Sequence, residues 1–241
     1  MDSTADFSIL TSRDVDAQVL RLVGSPKLAI PPAPTVALKL QALMAKDDFG
    51  GPELVQVLES DAALTAMVLR YANAADRAGV VEVTELPAAV SRVGIRAIAR
   101  LALAQELGRV YGKPGRLGTV RNTLWQRALV SGLVCHTLAR HRGWNAEEAF
   151  TAGLLHDFGA AVVLAAAETI VHKTDIQRPA RRWIQMAMDS HLEVGRIVSL
   201  EWNLPSILGD AMVHHHSPGV SESHRELLEL IEVSDRVSFL F

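Results

Sequence analysis

The sequence predicts an all-α protein, on three observations. Apolar residues recur at three-to-four-residue steps, the spacing of a buried helix face, in nearly every segment. Alternation suited to a strand is confined to one stretch, Gly79 to Leu86, where an isolated strand would have no partner. Proline, glycine and capping residues punctuate the chain at helix-length intervals, with no longer period of the solenoid kind.

The segment "PPAPT" places proline in the lead-in and first turn of a helix, where a missing N–H costs nothing. In "TVALKLQALMA", which follows, Val36, Leu40, Leu43 and Met44 share one face. "PELVQVLESDAALTAMVLRYANAA" reads as two helices, the first opened by Pro52 and the second capped by Ser60 or Asp61. "ELPAAVSRVGIRAIARLALAQELGRVYG" reads as a pair broken near Gly94. "YGKPGRLGT", Tyr111 to Thr119, is rich in glycine and is the best internal boundary. "TLWQRALVSGLVCHTLARHRG" is then a long amphipathic helix that Gly143 closes. Asn145 caps the next, with Glu148 three residues on. Further helices are expected around "ARRWIQMAMDS", "HLEVGRIVSLEW", "PSILGDAMVHHH" and "RELLELIEVSDRVSFLF".

Composition narrows the function classes. A chain of 241 residues, 49% hydrophobic and 21% charged, can bury a large core. Its net charge, 24 − 27 = −3, sets up no positive field for nucleic acid or anionic lipid, so neither is expected as a partner. The single Cys135 excludes an internal disulfide framework and fits a reducing cytoplasm. The start, "MDSTADFSIL", carries no basic run ahead of an apolar one. Ala149 to Ala167 is long and apolar enough to span a bilayer, but His156 and Asp157 lie within it. An ionised Asp at such a position costs roughly 2.5–3.5 kcal/mol, so a buried core segment is the better reading.

Nine histidines are unevenly spread. His136, His141, His172 and His224 fall on helix surfaces or ends, where structural roles suffice. His156 with Asp157, His191, the run His214 to His216, and Asp235 stand instead among apolar neighbours. Imidazole nitrogen and carboxylate oxygen are natural ligands for Zn, Mn or Fe. The same groups also serve as hydrogen-bonding residues between buried helices, and spacing alone leaves both readings open. Neighbours on a helix point about 100° apart, so His156 and Asp157 could share an ion only over the edge between them. Gly159 would leave room for its approach, and one or two of the three consecutive histidines could face inward.

The motif "LLHDFG" resembles the signature of the HD superfamily of metal-dependent phosphohydrolases. The chain from about Lys27 to Asp235 is similar to the HDOD domain, a regulatory branch of that superfamily. The segments that carry the likeness include "LAIPPAPTVALKLQALM", "LVQVLESDAALTAMVLRYANAA", "VTELPAAVSRVGIRAIARLAL", "EEAFTAGLLHDFGAAVV", "HLEVGRIVSLEWNLP" and "AMVHHHSP", in that order. The resemblance implies a two-lobed helical bundle: an N-lobe over 27–111, a linker at 112–119 and an HD-like lobe over 120–235. Residues 1–26 would form an N-terminal helix and lead-in, and 236–241 the end of the last helix.

The resemblance also implies a pocket built from Arg127, His156, Asp157, His191, His215 and Asp235. Active HD enzymes carry a histidine where "LWQRALVSG" has Arg127. A guanidinium stays protonated, offers no lone pair and repels a dication. Relatives that cleave cyclic dinucleotides carry a phosphate-holding lysine after the glycine, where this chain has Ala160. No catalytic residue and no metal are therefore expected. If a divalent ion such as Mn, Fe or Zn is bound, His156, Asp157, His191, His215 and Asp235 would hold it. With no ion bound, Arg127 would either neutralise Asp157 and Asp235 in the old ion's place or reach solvent with its stem on Trp125.

Three further features have modest readings. Asn73, in "RYANAA", would bond backbone where its helix meets the turn toward Gly79. Arg92, Arg96 and Arg100, at i, i+4 and i+8, form a basic stripe, either a solvated face or a surface for an acidic partner or a nucleotide phosphate. Arg178, Arg181 and Arg182 open a helix at the wrong end for cations, which calls for an acidic neighbour or a bound anion. The four tryptophans are too scattered for a base-stacking platform. The expected role is a bacterial, cytoplasmic signalling module with a degenerate HD site, acting through a protein partner or a small ligand such as a nucleotide. The alternative is a phosphohydrolase acting on a nucleotide or cyclic dinucleotide.

Overall fold

In the computed structural model, residues 12–36, 39, 51–74, 81–172 and 176–240 are described. All regular structure among them is helical. The helices are α1 (Ser12–Val23), α2 (Gly51–Glu59), α3 (Ala62–Ala72), α4 (Leu86–Val93), α5 (Ile95–Tyr111) and α6 (Gly118–His141). There follow α7 (Ala146–Leu155), α8 (Phe158–Val171), α9 (Ala180–Glu201), α10 (Ser206–His214), a 3-10 turn at Pro218–Val220, and α11 (Arg225–Ser238). Leu40, Leu43 and Met44, expected on a shared face, lie outside the described residues, as does Gly79.

The chain divides into two compact units, Pro32–Arg109 and a larger one of Met1–Pro31 with Val110–Phe241. The sequence placed the inner boundary at 112–119 and kept residues 1–26 apart. In the structure the division falls between Arg109 and Val110, and α1 belongs to the larger unit. The reason is visible in both segments. Val15, Val19 and Val23 of α1, spaced by four, are buried, and α1 packs on α8. The glycine-rich turn is held by Glu168 of α8, whose carboxylate accepts the Arg116 and Leu117 N–H groups at 2.7 and 2.9 Å. A turn fixed by such bonds is part of a core's rim, not a linker.

In the smaller unit α2, α3 and α4 pack together. Asp61, rather than Ser60, caps α3, accepting from Ala63 and Leu64 N–H. Residues 81–84 form no strand, and the Asn73 amide bonds both backbone groups of Val83: Nδ2 donates to Val83 O at 2.7 Å and Oδ1 accepts from Val83 N at 2.8 Å. Arg92 does not join a stripe with Arg96 and Arg100. Gly94, at φ +81°, ends α4 between them, and the Arg92 guanidinium donates to Val81 O at 2.7 Å. The helical register that would align the three is interrupted.

The larger unit is built on α6. Its buried positions Arg121, Leu124, Ala128, Ser131 and Cys135 advance by alternating steps of three and four, the spacing of one helix face. That face receives α7 and α11, while α8 packs against α9 and α10 against α9 and α7. Two helices expected around Ser190 are one, α9, because nothing in "MAMDSHLEV" breaks a helix. The bilayer-length apolar stretch Ala146–Val171 is mostly buried within the protein, and it is divided into α7 and α8 at His156–Asp157. Gly159 sits where α8 crosses α9: a Cβ there would lie 2.0 Å from His191 O. The glycine makes room for a neighbouring backbone rather than for an ion.

Candidate functional site

The His156–Asp157 pair occupies the break between α7 and α8, not the interior of a helix. Both flanking helices bury nearly every residue, so the break lies in the core and its polar side chains need polar partners there. His191 comes from the middle of α9 and His215 from the end of α10. Asp235 comes from α11 and Arg127 from α6. The structure thus brings together all six residues of the expected pocket.

Three imidazoles are oriented the same way. Nδ1 of His156 donates to Gly153 O at 2.8 Å, Nδ1 of His191 to Met188 O, and Nδ1 of His215 to Ala211 O at 2.8 Å. Each bond fixes the ring within its own helix and turns Nε2 inward. His191 Nε2 and His215 Nε2 each lie 3.4 Å from Asp157 Oδ1, and 3.4 Å from one another. His156 Nε2 lies 3.4 Å from Asp157 Oδ2 and 3.6 Å from Asp235 Oδ1. These are charge contacts rather than good hydrogen bonds. His156 Nε2 and Asp157 Oδ1 are buried with no hydrogen-bond partner.

The residues fit a divalent transition metal. Donors that share one tetrahedral ion at about 2.1 Å stand ~3.4 Å apart, the edge of the Asp157–His191–His215 triangle. Neutral imidazole and carboxylate are the right ligand types, and the backbone bonds at Nδ1 supply the usual outer support. His216, half out in solvent, is a fourth donor nearby, its ring centroid 4.1 Å from that of His215. His214, unlike the exposed His216, is half-buried, and it lies outside the ring cluster just described.

Electrostatics balance the pocket without an ion. Burial works against a charged His156, but Asp157 and Asp235 overcome it and hold the imidazole up at about 10. Burial would likewise raise Asp157, but His156 and His215 hold its carboxyl well below the usual range. Asp235 is lowered against its burial by His156 and, more weakly, by Arg127. His191 is pushed down, mainly by burial. Two carboxylates therefore face two cations, His156 and Arg127.

Arg127 takes the first of its expected positions in part: it is half-buried against Asp235 but does not reach Asp157. Its Nη2 lies 3.2 Å from Asp235 Oδ1, Nε donates weakly to Ser238 Oγ at 3.5 Å, and the guanidinium sits 3.5 Å from the Phe239 ring centroid. Trp125 packs on Tyr111 instead, ring centroids 5.3 Å apart. The guanidinium pairs with Asp235 at the pocket's edge and leaves Asp157 to the imidazoles.

A sequence profile of the HDOD domain matches residues 30–218. The chain belongs to the HDOD domain family. The match takes in His156, Asp157, His191 and His215 but stops short of Asp235 and α11, which the expected span to Asp235 included. The HDOD chain is 28% identical over 213 residues to an uncharacterised protein of Treponema pallidum (strain Nichols), covering 84% of this chain and 40% of that protein's length. In fold it is similar to an HDOD domain protein of unknown function from Geobacter sulfurreducens, with a TM-score of 0.68, 22% identity, and 94% and 79% of the two chains covered. It is also similar to a protein from Shewanella amazonensis SB2B provisionally described as a metal-dependent phosphohydrolase, with a TM-score of 0.71, 18% identity, and 95% and 84% covered. Both likenesses concern the fold.

Arg121 and its partner Glu168 escaped the sequence reading. Arg121 is 2% exposed, donating to Glu168 Oε2 at 2.9 Å, to Tyr111 O at 3.3 Å and to Lys113 O. The signal was present: Arg121 lies on the stripe with Leu124 and Ala128. The cationic start of α9 finds the acidic neighbour it called for, since Arg178 pairs with Asp16 at 2.5 Å and stacks on Trp183. Behind the pocket, Ser131, Cys135 and Ser234 form a buried polar contact between α6 and α11.

Proposed function

We propose that this HDOD chain is a cytoplasmic signalling module of the HD superfamily, binding a protein partner or a small ligand without turning over a phosphodiester. The observation that supports this reading is the Arg127–Asp235 pair at 3.2 Å. In active HD enzymes the corresponding position carries an imidazole donor, whereas a guanidinium has no lone pair to give and occupies a carboxylate oxygen that a reacting site would use. Ala160, the residue after Gly159, offers no cation to a phosphate. The role needs no cofactor chemistry. The buried, free Cys135 suits a reducing compartment, and the net charge of −3 favours no nucleic acid.

A second reading, a phosphohydrolase for a nucleotide or cyclic dinucleotide, is favoured by the Asp157–His191–His215 triangle. An ion held there would supply Lewis-acid polarisation of a phosphoryl oxygen. The two readings separate in one assay. Full chain supplied with Mn, Fe or Zn is offered bis(p-nitrophenyl) phosphate and cyclic dinucleotides, and background rates are expected. Turnover that disappears in Asp157→Asn would overturn the signalling reading.

A further inference from the structure

We infer that the pocket is divided into two cation loci sharing Asp157, that Arg127 closes the inner one, and that the chain takes a single divalent transition ion on Asp157, His191, His215 and His216. The inference rests on the proposed function only in treating the pocket as a binding site.

The division is geometric. One set of donor atoms, from Asp157, His191, His215 and His216, lies within 4.8 Å of one another, and so does a second, from His156, Asp157 and Asp235. The two Asp157 oxygens serve different sets: Oδ1 faces His191 and His215, and Oδ2 faces His156. In the inner set the Asp235 oxygen that meets His156 Nε2, at 3.6 Å, is Oδ1. That oxygen is already 3.2 Å from Arg127 Nη2, and the guanidinium is held in place by Ser238 and the Phe239 ring. A second dication there would share its oxygen with a permanent cation at contact distance.

The outer set carries no such obstacle. Its Asp157 Oδ1 is buried and lacks a hydrogen-bond partner, and the two Nε2 atoms complete a triangle with edges of 3.4 Å. The His216 ring lies across the solvent side, its centroid 5.2 Å from that of His191 and 4.1 Å from that of His215. It is the exposed member of the set, so a ligand exchanging with solvent would do so beside it.

The test uses Co²⁺ added to chelator-stripped full chain, followed by calorimetry and by visible absorption, which is intense for four-coordinate Co²⁺. One equivalent with intense bands is expected. His216→Ala, at an exposed position that leaves the core intact, should weaken binding tenfold or more. Arg127→His and the milder Arg127→Gln should each admit a second equivalent. No binding or two equivalents in the unaltered chain, an unchanged affinity in His216→Ala, or a stoichiometry of one in both folded Arg127 variants would overturn the inference. Phosphodiester turnover with one bound equivalent would instead overturn the signalling reading and leave this one standing.

Discussion

The Arg127 guanidinium lies 3.2 Å from Asp235 Oδ1, with the two side chains only 11% and 10% exposed. The same oxygen is 3.6 Å from His156 Nε2, so one carboxylate atom ties α6, α11 and the α7–α8 break together. Removing one partner leaves the other charge in a poorly hydrated place, which costs more than the pair itself contributes. Arg127→Ala should therefore lower stability by about 2–4 kcal/mol. Arg127→Gln should cost less. Urea denaturation midpoints check this, and a value within ~0.5 kcal/mol of the unaltered chain would show that the pair is not structural.

The metal-free pocket makes stability depend on pH with a definite sign. His156 is raised to about 10 by Asp157 and Asp235 against its burial. Its contribution is complete below the ordinary imidazole value near 6.5 and is lost as pH rises toward 10. Asp157 and Asp235 are lowered, so their contribution is present above the ordinary carboxylate range and lost as pH falls through their folded values. His191 is lowered by burial, so its contribution is lost as pH falls below about 6.5. Denaturation with chelator present should show greatest stability at about pH 6.5, declining on both sides. The alkaline decline should flatten in His156→Gln. A curve that keeps rising from pH 7 to 10 would contradict the assignment.

Gly159→Ala should be among the most damaging single substitutions in the chain. The added Cβ would lie 2.0 Å from His191 O and 2.7 Å from Gly195 N, both backbone atoms, so α8 and α9 must separate. A loss above about 3 kcal/mol, or failure to fold, is expected. Gly143→Ala is the control. It has open space around its Cβ but sits at φ +71°, and should cost only about 1 kcal/mol. Equal thermal shifts for the two would refute the close-packing account.

Glu168 holds the turn that the sequence reads as a linker. Its carboxylate accepts from Arg116 N, Leu117 N and Arg121 Nη1 at 2.7–2.9 Å. Glu168→Ala would strand the almost fully buried Arg121 and should cost about 3–5 kcal/mol. Proteolysis near residues 112–119 should accelerate in the same variant. A turn as resistant as the original would show that other contacts fix it.

Much of the architecture was legible because helical spacing and caps are local. Asp61 and Asn145 cap α3 and α7 through their own side chains, and Gly94 and Gly143 end helices, as their positions implied. Asn73 bonds the backbone beyond its helix, as expected. Reading one basic stripe through Arg92, Arg96 and Arg100 failed because a single turn at Gly94 resets the register. The assembly of the pocket residues was implied by resemblance, since no local rule relates Arg127 to Asp235 at a separation of 108 positions.

What the sequence alone determined is the set of helices, their ends and the residue types available for a pocket, because each is written within a few turns of chain. Only the tertiary structure decided that His156 and Asp157 mark a break between helices, that Arg127 faces Asp235 rather than Asp157, and that Glu168 pins the glycine-rich turn. Those outcomes depend on which faces meet and at what distance. Burial and charge pairing between helices far apart in sequence set that distance, and no single segment encodes it.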